Sequence, residues 1–160
     1  MFLAGLLLLG LTVAGAPAQA SLLHLAGPVP ANLGLQQNHL APCESPAHCA
    51  RARWPPAHCA RARWPLAQEG TSIERLVPLI LGLEGVEVVD TRAGYLHATA
   101  SSRLFGFVDD LEIHTLPASH ELEVRSASRL GESDLGVNAR RLERLHRALL
   151  EAHVVVAAPE

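Results

Sequence analysis

The sequence predicts an α+β domain in two layers: a four-stranded antiparallel sheet with two helices on one face, in the order helix, four strands, helix. Three observations carry this. Residues 138–152 are rich in Leu and Arg and hold no Gly or Pro, with Leu142, Leu145 and Leu149 at i, i+3 and i+7 on one helical face. Tyr95 to Ser101 alternates strictly, Leu96, Ala98 and Ala100 on one side and Tyr95, His97, Thr99 and Ser101 on the other. The strand-like runs are separated by short turns, so neighbours pair as hairpins and the sheet is antiparallel.

Composition sets the frame for these elements. The chain has 160 residues, enough for one ordinary domain, and 49% of them are hydrophobic against 18% charged, which is globular rather than disordered. The net charge of −3 offers no argument for nucleic acid. All 13 basic residues are arginine, so chemistry that needs a lysine is excluded.

In chain order, Phe2 to Ala16 is apolar and is followed by Ala18-Gln19-Ala20, a small-x-small cleavage pattern before Ser21. The run is about 15 residues, short of the roughly 20 that span a bilayer. Residues 1–20 are therefore expected to be a signal peptide, although no Lys or Arg precedes the apolar core. The protein is expected to be exported to the periplasm or cell envelope, and to stay membrane-anchored if the segment is not cleaved.

Residues 21–70 show no sustained period and read as an irregular Pro-, Ala- and Arg-rich arm. The arm contains an identical tandem decamer, Pro46 to Pro55 and again Pro56 to Pro65. Two copies do not make a solenoid. In an exported protein the three cysteines default to a disulfide. Cys43 and Cys49 close the shorter loop, and the duplication also permits Cys43 with Cys59 or Cys49 with Cys59. A metal site from Cys43, His48, Cys49, His58 and Cys59 is disfavoured, because His and Cys are adjacent in each copy. No cofactor is expected. Arg51, Arg53, Trp54, Arg61, Arg63 and Trp64 form the one stretch suited to weak contact with an anionic membrane surface, against the plainer reading of a solvated linker.

The domain proper is expected over residues 71–153, with 154–160 as a tail. Thr71-Ser72-Ile73-Glu74 reads as a capping box, and Ile73, Leu76, Val77 and Ile80 follow on one helical face, interrupted by Pro78. Val86 to Asp90, Tyr95 to Ser101, Gly106 to Leu116 and Glu121 to Leu130 are the four strands. Ser133 and Asp134 are suited to cap the last helix, and Gly131 and Gly136 allow positive φ in the turn before it.

Period-two bookkeeping then sorts the polar residues between the two faces of the sheet. Phe107, Asp109, Leu111 and Ile113 share one parity on the third strand, and Leu122, Val124, Ser126 and Ser128 share it on the fourth. Asn138 lies one turn before Leu142, with Arg141 at the edge of the same stripe. Asp109, Ser126, Ser128, Asn138 and Arg141 are thus expected to converge between sheet and helix. Asp110, Glu112, His114, Arg125 and Arg129, beside Tyr95 and His97, are expected on an opposite face left open to water. A triad of Ser126 or Ser128 with His114 and Asp110 is rejected, because that parity separates them. Gly-x-Ser-x-Gly, phosphate-loop, His-Glu-x-x-His and dinucleotide patterns are absent from the sequence.

Phe107-Val-Asp-Asp110, Val124-Arg-Ser-Ala-Ser-Arg129, Gly131, Asp134, Gly136, Asn138 and Arg141, with Tyr95-Leu-His-Ala98 and Ser101, resemble the family known as domain of unknown function 1499, over about Pro42 to Leu149. That family typically opens with Cys-Pro-x-Ser-Pro-Asn-Cys. Cys43-Glu-Ser-Pro-Ala-His-Cys49 keeps the cysteine spacing but lacks the second Pro and the Asn. The resemblance implies mostly bacterial, often exported, and some plastid proteins, and no established activity, cofactor or catalytic residue.

The leading expectation for function is a small cell-envelope binding or accessory module, taking a small polar ligand or an envelope protein at the open face or at the Asp109/Asn138 node. The alternatives are a hydrolase with Asp109 or Asp110 as general base, and a structural envelope protein held by the Arg/Trp repeat.

Overall fold

The computed structural model describes residues 25–43, 59–131 and 134–157. The expected signal segment and the first decamer copy lie outside them. Among the described residues no helix is long and apolar enough to cross a membrane.

The fold is α+β. Two short strands, β1 (Leu35–Gln36) and β2 (His39–Leu40), form a small hairpin. The main sheet has five antiparallel strands, β3 (Cys59–Pro65), β4 (Val86–Arg92), β5 (Tyr95–Ser101), β6 (Val108–Leu116) and β7 (Glu121–Ser128), in the spatial order β3-β7-β6-β5-β4. The expectation of four strands is corrected by β3. Cys59–Pro65 of the second decamer copy belongs to the sheet rather than to an irregular arm, and pairs with β7 from Cys59 opposite Ala127 to Pro65 opposite Glu121. Its alternation explains why. Ala60 and Trp64 turn to the core while Arg61 and Arg63 turn to the other face.

A 3₁₀ turn at Ile73–Arg75 leads into α1 (Val77–Leu81). Pro78 sits in the first turn of α1, where its missing N–H breaks no helical bond. It divides the expected helix rather than kinking it. The Thr71 hydroxyl donates to the Gln68 carbonyl (2.7 Å) instead of capping the helix. Helix α2 spans Val137–Glu151. Both helices lie on one face of the sheet. Ile73, Leu76 and Ile80 from the first helical segment and Leu142, Leu145 and Leu149 from α2 share a core with Leu96, Leu111, Ile113, Leu122 and Val124.

The tail is built in up to Val156. Val154 and Val155 are buried, Val155 bridges Leu66, and the Val156 amide donates to the Pro65 carbonyl at 3.0 Å. The chain thus continues past α2 along the end of β3.

Candidate functional site

On the helix side, β6, β7 and α2 meet at a polar node. Asn138 is fully buried in the first turn of α2. Its amide nitrogen donates to Ser128 Oγ (2.9 Å), and its amide oxygen accepts from Ser126 Oγ (2.5 Å) and Arg141 Nη1 (2.6 Å). Arg141 Nη1 also donates to Ser126 Oγ, and Nη2 is ion-paired with Asp109 Oδ2 at 2.6 Å. The structure therefore brings together Asp109, Ser126, Ser128, Asn138 and Arg141. Burial makes such a network strong only when its members are satisfied, and here each polar group finds a complementary one.

The strand-to-helix turn positions this node. Gly136 adopts φ 77, a left-handed conformation that glycine takes without penalty. Asp134 accepts from the Gly136 amide (2.8 Å, Oδ1) and the Asn138 amide (2.7 Å, Oδ2). Its carboxylate thus closes the open end of α2, where negative charge is also favoured. Asp134 fixes Asn138, and Asn138 in turn orients Arg141.

A pocket of about 500 Å³ opens beside the node, reached by Asp109, Ser128 and Arg141 at one end. Its walls come from the loop before β6, the loop after β7 and the first turns of α2, and include Leu104, Phe107, Leu130 and Val137. These four are 38–54% exposed and lie together around the pocket, and it is such clustering, not single exposed apolar side chains, that marks a binding surface. Phe107 was expected to point under the helices. Regular pairing on β6 begins only at Val108, and the Phe107 amide is taken by Ser102 Oγ at 3.1 Å, so the ring borders the pocket instead. Arg140 and Arg144 line the same pocket from α2.

The opposite face of the sheet is ionic, but it is not open. Asp110, Glu112 and Glu123 are fully buried, and Arg125, His97 and His114 nearly so. The segment 25–43 lies across them. The Gly34 amide donates to Glu112 Oε1 (2.7 Å), the Leu40 amide to Glu123 Oε2 (2.9 Å), and Leu40 and Ala41 are themselves buried. The expectation of a solvated face is corrected for this reason: backbone amides of the arm satisfy carboxylates that would otherwise face water. Beneath the arm, Glu112 also accepts from Arg125 Nη1 (2.6 Å) and the Tyr95 hydroxyl (2.8 Å). Asp110 accepts both Arg129 Nε and Nη2 (2.9 and 2.8 Å) and lies 2.8 Å from His97 Nε2. Burial raises the Asp110 carboxyl, but the hydrogen bonds and charges of Arg129 and His97 outweigh it and hold the carboxyl below its ordinary value. Glu123 is lowered likewise, burial being outweighed by the Leu40 amide and by Arg63 and Arg61.

The candidate residues thus divide. Asp109, Ser126, Ser128, Asp134, Asn138 and Arg141 gather at the node and its pocket, while Asp110, Arg125 and Arg129 lie on the far side of the sheet under the arm. The rejected triad does not form: Ser126 bonds toward α2, whereas His114 Nδ1 bonds the Gly94 carbonyl at 2.8 Å.

One further expectation is corrected. Cys43 is disulfide-bonded to Cys59, not to Cys49, which lies outside the described residues. The physical reason is the strand: Cys59 begins β3 at the end where the arm leaves the sheet, so the bond staples arm to edge. Half of the Arg/Trp stretch is also spoken for. Arg61 Nη2 and Arg63 Nη2 bind Glu123 Oε1 (2.5 and 3.0 Å), and Trp64 is buried and stacked on His146 with ring centres 4.6 Å apart. Arg51, Arg53 and Trp54 lie outside the described residues.

Chemically, the node presents a carboxylate already neutralised by an arginine, a serine hydroxyl, and two further arginines next to an apolar wall. That is equipment for holding a ligand. Asp110 is buried, and Arg129 and His97 hold its carboxyl below the ordinary value. The pocket-lining arginines Arg140 and Arg144 were not singled out from the sequence as site residues; their spacing of four residues was the available signal. Among the described residues, no group of His, Cys, Asp and Glu is arranged to hold a metal.

Fold and site together define, among the described residues, an α+β protein with a buried polar node beside a lateral pocket. The family described as "Protein of unknown function (DUF1499)" matches residues 39–149, most of the chain, and the protein belongs to it. The matched span begins at β2 and so takes in the arm hairpin's second strand, the main sheet, α1 and α2 as far as Leu149. No curated protein matches the chain.

Proposed function

We propose that this protein is a small binding module of the cell envelope, exported through its N-terminal segment, and that its ligand sits in the pocket beside Asp109 and Arg141. The observation that carries the reading is the placement of a satisfied ionic node at the base of a pocket whose other walls are exposed apolar side chains and arginines. Ligand sites combine a mostly apolar lining with a few fixed polar groups in this way. The apolar N-terminal run and the disulfide between Cys43 and Cys59 support export, because disulfides persist in oxidising compartments. The hydrolase reading has less support: Asp109 is engaged in an ion pair with Arg141, and Asp110 is buried with its carboxyl held below its ordinary value, so neither is placed for the role of general base. A structural role through the Arg/Trp repeat is weakened because Arg61, Arg63 and Trp64 are used within the fold.

The test is native mass spectrometry of the protein purified from its own host without reductant or detergent. A mass adduct that is retained by the native protein and lost in Arg141→Ala is the expected result. A bare mass from several preparations, with no adduct recovered by incubation in host extract, contradicts the reading. The same spectrum reports cleavage before Ser21.

A further inference from the structure

We infer that the ligand of this pocket is a single-chain amphipathic anion, its carboxylate or phosphate head held by Arg144 and Arg140 and its hydrocarbon body lying against Leu104, Phe107, Leu130 and Val137. This rests on the pocket reading above and names the class of molecule it takes.

Charge accounting comes first. The pocket is lined by four arginines and three carboxylates. Asp109 is neutralised by Arg141. Asp134 is consumed by the amides of Gly136 and Asn138. Glu84 stands 3.7 Å from Arg103. The remaining two cations are Arg140, which spends Nη1 on the Leu135 carbonyl at 2.9 Å, and Arg144, which makes no hydrogen bond or ion pair with any described residue. They sit one turn apart on α2 and line the same pocket, so their guanidinium donors serve one site. An arginine fork matches a carboxylate or phosphate in shape and charge.

The apolar wall adds the second requirement. Leu104 and Phe107 come from one loop, Leu130 from another and Val137 from the first turn of α2, and all four are substantially exposed at the same end of the molecule. Phe105 extends the patch outward, its ring 5.8 Å from that of Phe107. A small inorganic anion would leave this surface wet, and a neutral lipid would leave the arginines unused. An anion with a hydrocarbon chain uses both.

The experiment is a calorimetric titration of the full chain with monomeric dodecanoate and with dodecyl phosphate, against acetate, inorganic phosphate and neutral dodecyl maltoside as controls. Dodecanoate or dodecyl phosphate is expected to bind at one site. Arg144→Ser is expected to weaken it about tenfold or more, the worth of a hydrogen-bonded charge, and Phe107→Ser to weaken it without changing the preference for anion over neutral head. Both residues are exposed, so both variants are expected to fold, which far-ultraviolet circular dichroism checks. Dodecyl maltoside binding as tightly as dodecanoate, or acetate and phosphate binding as tightly as their long-chain forms, overturns the inference. So does binding of phosphatidylglycerol vesicles with no affinity for the monomeric anions, which assigns the patch to a bilayer surface. If the anions fail but a host adduct dependent on Arg141 is retained, the pocket reading stands and only the ligand class falls; if both fail, the reading falls with it.

Discussion

The two faces of the sheet solve the same problem in different ways. On the helix side, a leucine core is interrupted at one end by a node of five polar side chains, and that end leads to a pocket. On the arm side nearly every inward side chain is charged or polar, and irregular backbone, not a helix, covers them. An apolar face needs only another apolar face. A buried ionic face needs donors of defined geometry, and the arm supplies backbone amides at Gly34 and Leu40 for carboxylates that already hold arginines. The difference teaches where to look for function: on the arm side the carboxylates are paired with arginines and backbone amides, with His114 Nε2 and Arg125 Nε left buried without a partner among the described residues, while the helix side leaves Arg144 and an apolar wall exposed along the pocket.

The largest expected effect tests that division on the arm side. Glu112→Ala removes the acceptor of Arg125, Tyr95 and Gly34 at once and leaves Arg125 buried without its partner. A loss of about 3–5 kcal/mol is expected in urea unfolding. Next is the staple. Reducing the bond between Cys43 and Cys59, 16 residues apart, is expected to cost about 2–4 kcal/mol. Hydrogen exchange at the Gly34 and Leu40 amides should accelerate more than at the amides of β5 or β6. Equal acceleration everywhere would mean that the arm and sheet open together.

On the helix side, Asn138→Ala strands Ser126, Ser128 and part of Arg141, with an expected loss of about 1–3 kcal/mol in the same assay. The smallest effect concerns pH. His146 lies against Trp64 with Nε2 buried and without a partner among the described residues, and burial lowers its pKa from the ordinary value. The folded state therefore binds fewer protons than the unfolded state. Stability conferred by neutral His146 is present above about pH 6.5 and declines as pH falls below it. His146→Phe is expected to flatten the stability profile between pH 7 and pH 5, measured as urea midpoints. At lower pH the lowered Asp110 and Glu123 carboxyls act with the same sign, their contribution being lost as they protonate below the ordinary carboxylate range.

Much of the helix side was legible because its signals are local. Strict alternation set the parity of Asp109, Ser126 and Ser128, and the i, i+3, i+7 leucines set the face of α2 that carries Asn138. What covers the other face was not legible, since its partners are backbone amides with no side-chain signature and lie 78 and 83 residues away in sequence. Strand β3 was hidden for another reason. Its core positions are Ala60, Ala62 and Trp64, and alanine gives a weak alternation, while the identical first copy made the stretch look like a linker. The cysteine partner followed from that strand, which is why residue spacing alone left three pairings open. The pocket is built from two loops and a helix end, and no single stretch of sequence shows it.

The most direct measurement is a two-dimensional amide spectrum of the oxidised protein recorded with and without the ligand recovered from its host, or with dodecanoate. Shifts concentrated at Phe107, Leu130, Gly131, Val137 and Arg144, with Gly34 and Leu40 unmoved, are the predicted result. Shifts centred on Gly34, Leu40 and the residues of β6 that face them would contradict it, and would make the arm-covered ionic face the working surface of this protein.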